Sequence, residues 1–495
     1  MIDNFIAGSV ALFGDPFTIG IFVFGVIGGM LFGAIPGVSM LTLAAILLPF
    51  TASLDPAQGV MLFAVIYCTG TYGGAITAIL FNIPGAPENA PTAFDGYPMT
   101  RKGQSGKAVG AAVLCSAIGG ISSALVMMAA TEPLANWAIS NIGPPEIFAL
   151  VFFGLAVASS VGGRTLWKGW MSVLLGLLIA TIGQDPVGGI NRYNFGFSDL
   201  AAGIAFVPAI LGFFAVSEIF VQAEKKAVGK YEAPKMSVNF PSILELWAHK
   251  IAVLRSILVG FFCGILPGIG ATLAAFMGYG EAVRWSKNKE SFGKGNLEGV
   301  ISSETANNAA TGAAMIPLLA LGLPGGALTA MMVAVFQMHD LEPGPLVFYN
   351  SPDLIWIVFA AMFYANVSIL FIGLIETKTI LYLLKIPFQF LAPMILLLAS
   401  IGSYIGRGLV LDVMVMFISG IMGFLLRRSG YSIPGIVLGI ILGKIGEQNF
   451  AQGMQMVHYD LLEYLSRPIC LLLIVAGSLT LLAGIYKPLS FSFKS

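Results

Sequence analysis

The most polar part of any apolar segment is ISSETANNAATGAAMIP, residues 301–317, which carries a carboxylate, two amides and several hydroxyl groups. Ser303 lies beside four polar residues that recur at helical spacing and would share one helix face: Glu304, Asn307, Asn308 and Thr311. Side chains of this kind on one face could contact a ligand or an ion. The alternative is a helix that starts at a water interface, with Glu304 solvated.

Four Pro-Gly dipeptides interrupt apolar segments elsewhere in the chain. A proline lacks an N–H group and a glycine loosens the backbone, so we expect a helix to break at each of them. The N–H groups freed at a half-helix start suit a carboxylate, and the carbonyl groups freed at a half-helix end suit a cation. The alternative is that the prolines only kink helices and the glycines only permit close packing. The four runs are Pro36-Gly37-Val38-Ser39, Asn82-Ile83-Pro84-Gly85, Pro267-Gly268-Ile269-Gly270 and Gly322-Leu323-Pro324-Gly325, with Thr42 and Thr272 close behind two of them.

The remaining polar residues do not form an enzyme site. His249, His339 and His458 are far apart, and the sequence has neither an H-E-x-x-H zinc helix nor a P-loop. The four cysteines lie in apolar runs without ligand-like spacing, which predicts small buried side chains. Asp412 and Glu218 are expected to be solvated or, alternatively, to relay a proton. We therefore predict a protein that is not an enzyme and has no cofactor.

The elements that must position these residues are membrane helices. Of the 495 residues, 57% are hydrophobic and 10% are charged, whereas soluble domains carry about 25% charged residues. Lys plus Arg equals Asp plus Glu at 25 each, so no basic excess suggests a nucleic-acid partner. The start of the chain has no basic stretch before its apolar residues, so we expect no cleaved signal peptide. Apolar segments of the length that a lipid bilayer requires predict an all-α polytopic membrane protein. They lie near 18–35, 38–52, 56–81, 104–130, 144–160, 164–182, 198–222, 251–266, 269–282, 298–321, 354–376, 384–402, 406–426, 432–446 and 467–486.

Three local patterns recur in the same order in both halves of the chain. GMLFGAIPGVSMLTLAA resembles GFFCGILPGIGATLAA, TAILFNIPG resembles PLLALGLPG, and SSVGGR resembles GSYIGR. Three matches in order at similar offsets indicate an internal duplication. The short segments that meet at Pro36-Gly37 and at Pro267-Gly268 are predicted to form helical hairpins. An odd number of crossing segments separates the hairpins, so the second repeat is predicted to be inverted relative to the first.

The basic residues predict the orientation. With the N-terminus outside, all of the 25 basic residues except four fall on the inner face, as the positive-inside rule requires. The exceptions are Arg192, Arg407, Lys444 and Arg467. We predict a first transmembrane repeat at 1–222, a cytoplasmic linker at 223–250, a second, inverted repeat at 251–446, and a C-terminal helix and tail at 447–495. This arrangement has about 11 crossings plus the two hairpins.

Inverted repeats with broken helices are the recurring plan of secondary transporters, whose site lies near the bilayer midplane between the repeats. We therefore predict a site for a carboxylate and at least one cation, which a rigid-body movement exposes to each side in turn. A passive channel or a scaffold subunit is the alternative. The predicted substrate contacts are Pro36, Gly37, Ser39, Asn82, Pro84, Gly85, Pro267, Gly268, Asn307, Asn308, Gly322, Pro324 and Gly325. The predicted coupling-ion contacts are Thr42, Thr272, Ser303, Glu304 and Thr311.

Three long motifs resemble one known family. They are YGGAITAILFNIPGAPENAPTAFDGYPMTRKGQSGKAVGAA, QDPVGGINRYNFGFSDLAAGIAFVPAILGFFAVSE and ETANNAATGAAMIPLLALGLPGGALTAMMVAVFQMHDLEPGPLVF. They resemble the large membrane subunit of tripartite tricarboxylate transporters, the TctA family. The similarity covers residues 15–440 and includes the motifs in the correct order, so it is highly specific.

The resemblance implies import of di- or tricarboxylates, such as citrate, or of related organic acids, including aromatic acids, by symport with Na⁺ or H⁺; a stand-alone ion-coupled carrier is the alternative. It also implies two partners, a small TctB-like membrane subunit and a periplasmic TctC-like solute-binding protein. The location would be the bacterial inner membrane, with the N-terminus periplasmic and the C-terminus cytoplasmic. A bound sodium would be the only metal. The family's motifs fall on Asn82 to Gly85 and on Gly322 to Gly325, but Gly326 stands where the family often has serine, so one contact is expected to differ.

Overall fold

The computed structural model describes residues 1–35, 38–161, 165–185, 187–224, 240–266, 270–383 and 388–486, without the side chains at 160, 161, 243, 374, 376–383, 388–390 and 483–486. The first half contains α1 (Ile2–Gly14), α2 (Pro16–Ala34), α3 (Met40–Leu47), α4 (Pro56–Phe81), α5 (Ala90–Arg101), α6 (Ser105–Asn141), α7 (Pro144–Val161), α8 (Leu166–Ala180), α9 (Phe206–Ile210) and α10 (Ser217–Glu224). A π-helical turn, Leu211–Val216, joins α9 to α10. Two short antiparallel strands, β1 (Gly183–Gln184) and β2 (Asn191–Arg192), pair between α8 and α9.

The second half contains α11 (Ile243–Ala248), α12 (Lys250–Ile265), α13 (Gly270–Trp285), α14 (Leu297–Leu321), α15 (Ala327–Met338), α16 (Val347–Asn350), α17 (Pro352–Leu383), α18 (Phe388–Ile405), α19 (Val410–Arg428), α20 (Ile433–Met456), α21 (Leu461–Ser466) and α22 (Pro468–Tyr486). Short 3₁₀ turns lie at Leu48–Ser53, Pro87–Asn89, Ser198–Ala202 and Lys289–Ser291.

Six helical stretches of the described chain are long and apolar enough to cross a membrane: Pro16–Ala34, Pro56–Phe81, Ser105–Asn141, Phe206–Glu224, Pro352–Gly373 and Val410–Arg428. The apolar runs form helices because hydrocarbon offers the backbone no hydrogen bonds, and a helix satisfies its own N–H and carbonyl groups. The prediction of an all-α polytopic membrane protein is therefore confirmed. The number of crossings and the inverted repeat stay predictions.

α4 and α14 form the centre of the molecule. Every residue of α4 in its most apolar stretch is buried, and α14 is buried from Gly299 to Ala320. α4 packs against α2 and α17, whereas α14 packs against α6, α12 and α13. α2 can pack closely against α4 because residue 33 is glycine; a methyl group there would collide with the carbonyl group of Gly70. The polar stretch of α14 therefore lies in the core.

Local signals explain where these two helices begin. Pro56 is the first residue of α4, after Asp55, whose N–H donates to Gln58 Oε1 at 3.2 Å. Asn296 precedes α14 and accepts the N–H of Glu298 at 2.9 Å. Both arrangements satisfy N–H groups that have no partner inside the helix.

Three short helices, α1, α5 and α15, were not predicted. They contain 13, 12 and 12 residues, so they are shorter than the runs of about 20 residues that identify a membrane crossing. α5 and α15 are important for the site, because each follows one of the predicted helix breaks.

Asp412 is the clearest correction to the sequence-based expectations. Its side chain is only 1% exposed and forms an ion pair with Arg407, so it is not solvated. Glu218 likewise pairs with Arg427 and is 15% exposed. An isolated carboxylate is costly to bury, and an arginine partner offsets that cost.

Candidate functional site

The first predicted break, after α4, is a sharp helix end. Asn82 has a left-handed backbone with φ of 58°, and the N–H of Ile83 donates to the carbonyl oxygen of Thr77 at 3.3 Å. This bond reaches back six residues and satisfies a carbonyl group at the end of the helix. Pro84 follows, and a proline cannot continue a helix. Asn82 therefore ends the helix and turns the chain.

The second predicted break repeats this geometry at the end of α14. Gly322 has φ of 75°, and the N–H of Leu323 donates to the carbonyl oxygen of Pro317 at 3.0 Å. Pro324 follows in the same place as the proline of the first break. Two equivalent positions of the chain therefore end their helices in the same way.

After each break the chain turns back along the helix that it has just left. The Gly85 N–H lies 3.4 Å from the Gly74 carbonyl oxygen. A Cβ at Gly325 would lie 2.9 Å from the side chain of Ala314. Glycine is required at both positions because the returning chain touches the backbone of a helix. The chain then starts a new short helix, α5 or α15, from inside the molecule.

Four helices begin around one cavity of about 310 Å³: α3, α13, α15 and α20. Small-molecule pockets range from about 300 to 1,000 Å³, so this one fits a small ligand. A second cavity of about 360 Å³ shares Met40, Pro87 and Glu88 with it and extends it past Ser39 and Gly85. The lining at the helix starts comprises Met40 and Leu41 of α3, Gly270, Ala271 and Thr272 of α13, Gly326, Ala327 and Leu328 around the start of α15, and Ser432, Pro434 and Gly435 around the start of α20.

These helix starts make the cavity suited to an anion. The first N–H groups of a helix have no partner within it, and the helix dipole adds partial positive charge there. Ser39 precedes α3 without capping it through its side chain, and Gly326 has no side chain with which to cap α15. Ser432, in contrast, caps α20 by accepting the Gly435 N–H at 3.1 Å. The described lining of the 310 Å³ cavity contains no lysine or arginine, and Glu88 is its one charged residue.

A buried carboxylate lies in the polar stretch of α14. Glu304 is fully buried. Its Oε1 accepts from Thr92 Oγ1 at 2.5 Å and from Asn307 Nδ2 at 3.4 Å, and its Oε2 accepts from Ser116 Oγ at 2.9 Å. Ser303 Oγ lies 2.9 Å from Thr92 Oγ1. The interpretation of Glu304 as a solvated residue at a helix start is therefore wrong, and the polar face turns inwards.

The two amides connect this carboxylate to the cavity. Asn307 Nδ2 lies 3.3 Å from the backbone oxygen of Glu88, and Asn308 Nδ2 donates to Asn307 Oδ1 at 2.8 Å. Among the described residues, Asn308 Oδ1 has no hydrogen-bond partner. Thr311 Oγ1 donates to the Asn308 carbonyl oxygen at 2.8 Å. Hard cations prefer oxygen ligands, so this network is the part of the site that could hold a sodium ion.

The structure brings some of the predicted contacts together and separates others. Ser39, Gly85 and Thr272 line the two cavities. Thr42 is buried within α3 but is not part of their lining. The same holds for the residues at the helix ends, which turn the chain rather than face the cavities: Asn82, Pro84, Gly322, Pro324 and Gly325. Pro36, Gly37, Pro267 and Gly268 lie outside the described residues.

The sequence analysis missed three contributors to the cavity: Glu88, Tyr67 and the start of α20. The start of α20 had a local signal, because Ser432 precedes a further Pro-Gly pair, and serine before proline is typical of a helix start. Glu88 is an ionisable residue three positions after Gly85, close to a predicted break between apolar segments, which is also a signal. Tyr67 had none, because one tyrosine in an apolar run is unremarkable.

Comparison with known proteins relates the chain to transporters. The model of the Tripartite tricarboxylate transporter TctA family matches residues 19–438. An uncharacterized 52.8 kDa protein in the TAR-I ttuC' 3' region of Agrobacterium vitis is 35% identical over 460 residues, which is 92% of this chain and 90% of that protein. An uncharacterized protein in the TAR-II ttuC' 3' region of the same organism is 35% identical over 218 residues, 44% of this chain and 90% of that protein. No solved structure matches the chain.

Proposed function

The chain belongs to the tripartite tricarboxylate transporter TctA family, and on this premise we propose that it imports di- or tricarboxylates by cation symport and alternating access. The family consists of large membrane subunits of transporters and not of enzymes. The observation that carries the proposal is the cavity at which four helices begin, without a lysine or arginine in its described lining. Main-chain N–H groups would bind the carboxylates there.

The inverted repeat is supported by features that recur in pairs. α2 and α3 correspond to α12 and α13, α4 to α14, α5 to α15, and α6 to α17. α4 packs against α17 of the other half, and α14 packs against α6 of the other half. Each repeat thus holds the broken helix of the other, which is how two halves could move around a shared site.

The periplasmic position of the N-terminus and the cytoplasmic position of the C-terminus are part of the proposal. Four basic residues are expected on the periplasmic side, and three of them lie around one surface region. This clustering supports the proposed orientation, because three residues that lie together share one side of the membrane. Arg192 pairs with Glu447, Arg407 donates to the Gly203 carbonyl oxygen at 3.2 Å, and Lys444 Nζ lies beside Gly203. The partners are a small TctB-like membrane subunit and a periplasmic TctC-like binding protein, in the bacterial inner membrane.

The coupling ion, Na⁺ or H⁺, would bind where oxygen atoms and carboxylates are buried together. The network around Glu304 provides such a place, since α14, α5 and α6 all contribute oxygen atoms to it. Thr272 lies nearer the substrate, with its Oγ1 at 3.4 Å from Glu88 Oε2. Substrate and ion would therefore bind next to each other.

The test introduces a bulky side chain into the cavity and measures uptake of substrate. The assay uses proteoliposomes that contain the chain, its small membrane subunit and the binding protein. A Cβ at Gly326 would meet only the Gly270 Cα at 3.7 Å and Tyr67 Oη at 3.9 Å, so the side chain of Gly326→Trp would extend into the cavity. The matched control is Gly280→Trp on α13, where a Cβ meets nothing within 4 Å. We expect uptake of labelled citrate, succinate or tartrate to be lost in Gly326→Trp and kept in Gly280→Trp.

The same assay separates the alternatives. Uptake that persists without the binding protein would indicate a stand-alone carrier, and flux that ignores the ion gradient would indicate a channel. If the wild-type complex takes up none of the three acids, the proposed substrate class is wrong. If Gly326→Trp transports as well as the control, the cavity is not the substrate site.

A further inference from the structure

Glu88 is a buried carboxylate without a cationic partner in a cavity that suits anions. It lies in the 3₁₀ turn Pro87–Asn89 and is 5% exposed. Its Oε2 accepts one long hydrogen bond of 3.4 Å from Thr272 Oγ1. Its Oε1 has no hydrogen-bond partner among the described residues, although both cavities open onto Glu88. A buried polar oxygen without a partner is costly unless something else binds it.

Among the described residues, no basic side chain forms an ion pair with Glu88. Thr272, on α13, does not ionise. Arg427 lines the 360 Å³ cavity, but it already forms an ion pair with Glu218. The titratable side chains that line the two cavities with Glu88 are Tyr67 on α4, Tyr431 just before α20, and the paired Glu218 and Arg427. Glu304, on α14, is connected to the turn that carries Glu88 through Asn307.

An ionised Glu88 would oppose the function of the cavity. A substrate carboxylate next to it would bring two like charges together away from water, and such pairs do not both stay ionised. A protonated Glu88 reverses the effect, since its O–H group could donate a hydrogen bond to the substrate. The four helix starts would favour an anion in either case, so the charge on this one side chain decides whether the substrate binds.

We infer that Glu88 carries a coupling proton and that the cavity binds its anionic substrate when Glu88 is protonated; this inference rests on the proposed function. On the side of entry, a proton from water forms an O–H bond at Oε1. The O–H group stays intact and donates a hydrogen bond to a substrate carboxylate, and the proton and the substrate move together through the alternating-access change. On the other side the substrate leaves, the O–H bond breaks, and the proton passes to water. Each cycle moves one proton with the substrate.

The position of Glu88 suits this role. Asn307 Nδ2 lies 3.3 Å from its backbone oxygen and 3.4 Å from Glu304 Oε1. The turn that carries Glu88 is thereby attached to the buried polar network, and also to Thr272 at the start of α13. A change of charge on Glu88 would act on α13 and the turn before α5, which line the cavity, and through Asn307 on α14.

The test measures uptake of labelled citrate and tartrate by the complete reconstituted transporter as a function of pH. The variants are Glu88→Gln and Glu88→Asp, with Glu224→Gln, an exposed residue, as control. In the pH range where Glu88 is ionised, we expect the apparent affinity of the wild-type transporter for substrate to fall by up to about tenfold for each unit of rising pH, relative to that of Glu88→Gln. The titration of the probe itself is the same for both proteins and cancels in this ratio. Glu88→Gln should exchange substrate but not accumulate it when a pH gradient is imposed, and Glu88→Asp should restore accumulation.

Two results would overturn the inference: an unchanged pH profile in Glu88→Gln, or accumulation by Glu88→Gln in response to a pH gradient. A sodium gradient that drives uptake equally in wild type and Glu88→Gln would also overturn it. Absence of uptake in the wild type would instead contradict the proposed function. In that case infrared titration of the reconstituted chain decides: a protonated carboxyl band that Glu88→Asp shifts and Glu88→Gln removes supports the inference, and its absence from the wild type at every pH contradicts it.

Discussion

Replacing Thr92 by valine should reveal whether Glu304 is charged inside the protein. Thr92 Oγ1 donates to Glu304 Oε1 at 2.5 Å, and both residues are fully buried. Valine keeps the shape of threonine and removes the hydroxyl group. If Glu304 is an ionised carboxylate, the variant loses a hydrogen bond to a charge and leaves that charge less well solvated.

The magnitude follows from a comparison on the same helix. Thr100, also on α5, donates to the Ile79 carbonyl oxygen at 2.9 Å, which is a neutral hydrogen bond. Neutral hydrogen bonds between membrane helices contribute about 0.6 kcal/mol on average, whereas those to charged groups contribute about 1.5–3 kcal/mol. We therefore expect Thr92→Val to lower the free energy of unfolding by at least about 1 kcal/mol more than Thr100→Val does.

The assay is reversible unfolding in mixed micelles of increasing denaturing detergent, completed as a double-mutant cycle with Glu304→Gln. In the Glu304→Gln background the cost of Thr92→Val should fall to that of the neutral control. If Thr92→Val lowers the free energy of unfolding no more than Thr100→Val does, or lowers it equally in the wild-type and Glu304→Gln backgrounds, Glu304 is not an ionised carboxylate that the Thr92 hydroxyl group stabilises.

Three further predictions concern other parts of the structure. Gly85→Ala should destabilise the protein by about 1–3 kcal/mol in the same unfolding assay, because its methyl group would meet backbone atoms on two sides; equal stability to wild type would contradict the packing described. Gly326→Ser should fold normally, since its φ of −170° is extended and its Cβ has room. Its new hydroxyl should change the KM for uptake by about 2–10-fold, and an unchanged KM would place it outside the substrate contacts. Lys107 holds the pKa of Glu245 below its ordinary value of 4.5 through a hydrogen bond. Because the folded state lowers this pKa, the wild type should be more stable than Glu245→Gln above pH 4.5. This difference in stability should disappear as the pH falls through the lowered pKa, which unfolding measured across pH would show.

Some features of the fold could be predicted closely because their causes are local. The predicted segments 56–81 and 298–321 correspond to α4 (Pro56–Phe81) and α14 (Leu297–Leu321). Apolar length defines such helices, and the left-handed residue followed by Pro-Gly ends each of them. The burial of the polar face of α14 was also the favoured interpretation. The membrane class and the family are confirmed for the same reason: long motifs and composition are properties of the chain itself.

The residues that line the cavity differ in part from the substrate contacts that the sequence predicted. The sequence indicated helix breaks that expose main-chain groups, yet Asn82 and Gly322 serve as the turns, and the cavity lies at the helix starts that follow. α20 supplies one of those starts and had not been assigned to the site, whereas the break at Gly322–Gly325, which precedes the start of α15, had been. A break in a helix shows where N–H groups become free, but not which other segment packs against them.

The sequence by itself determined that this chain lies in a membrane, that α4 and α14 end just before Pro-Gly pairs, and which family it belongs to, because apolar length, missing N–H groups and motifs are written in consecutive residues. Only the tertiary structure decided that four distant helix starts share one cavity and that Glu88 faces it without a cationic partner. Such a convergence depends on which surfaces pack together in three dimensions, and residues far apart in the chain meet there without any local sign of each other.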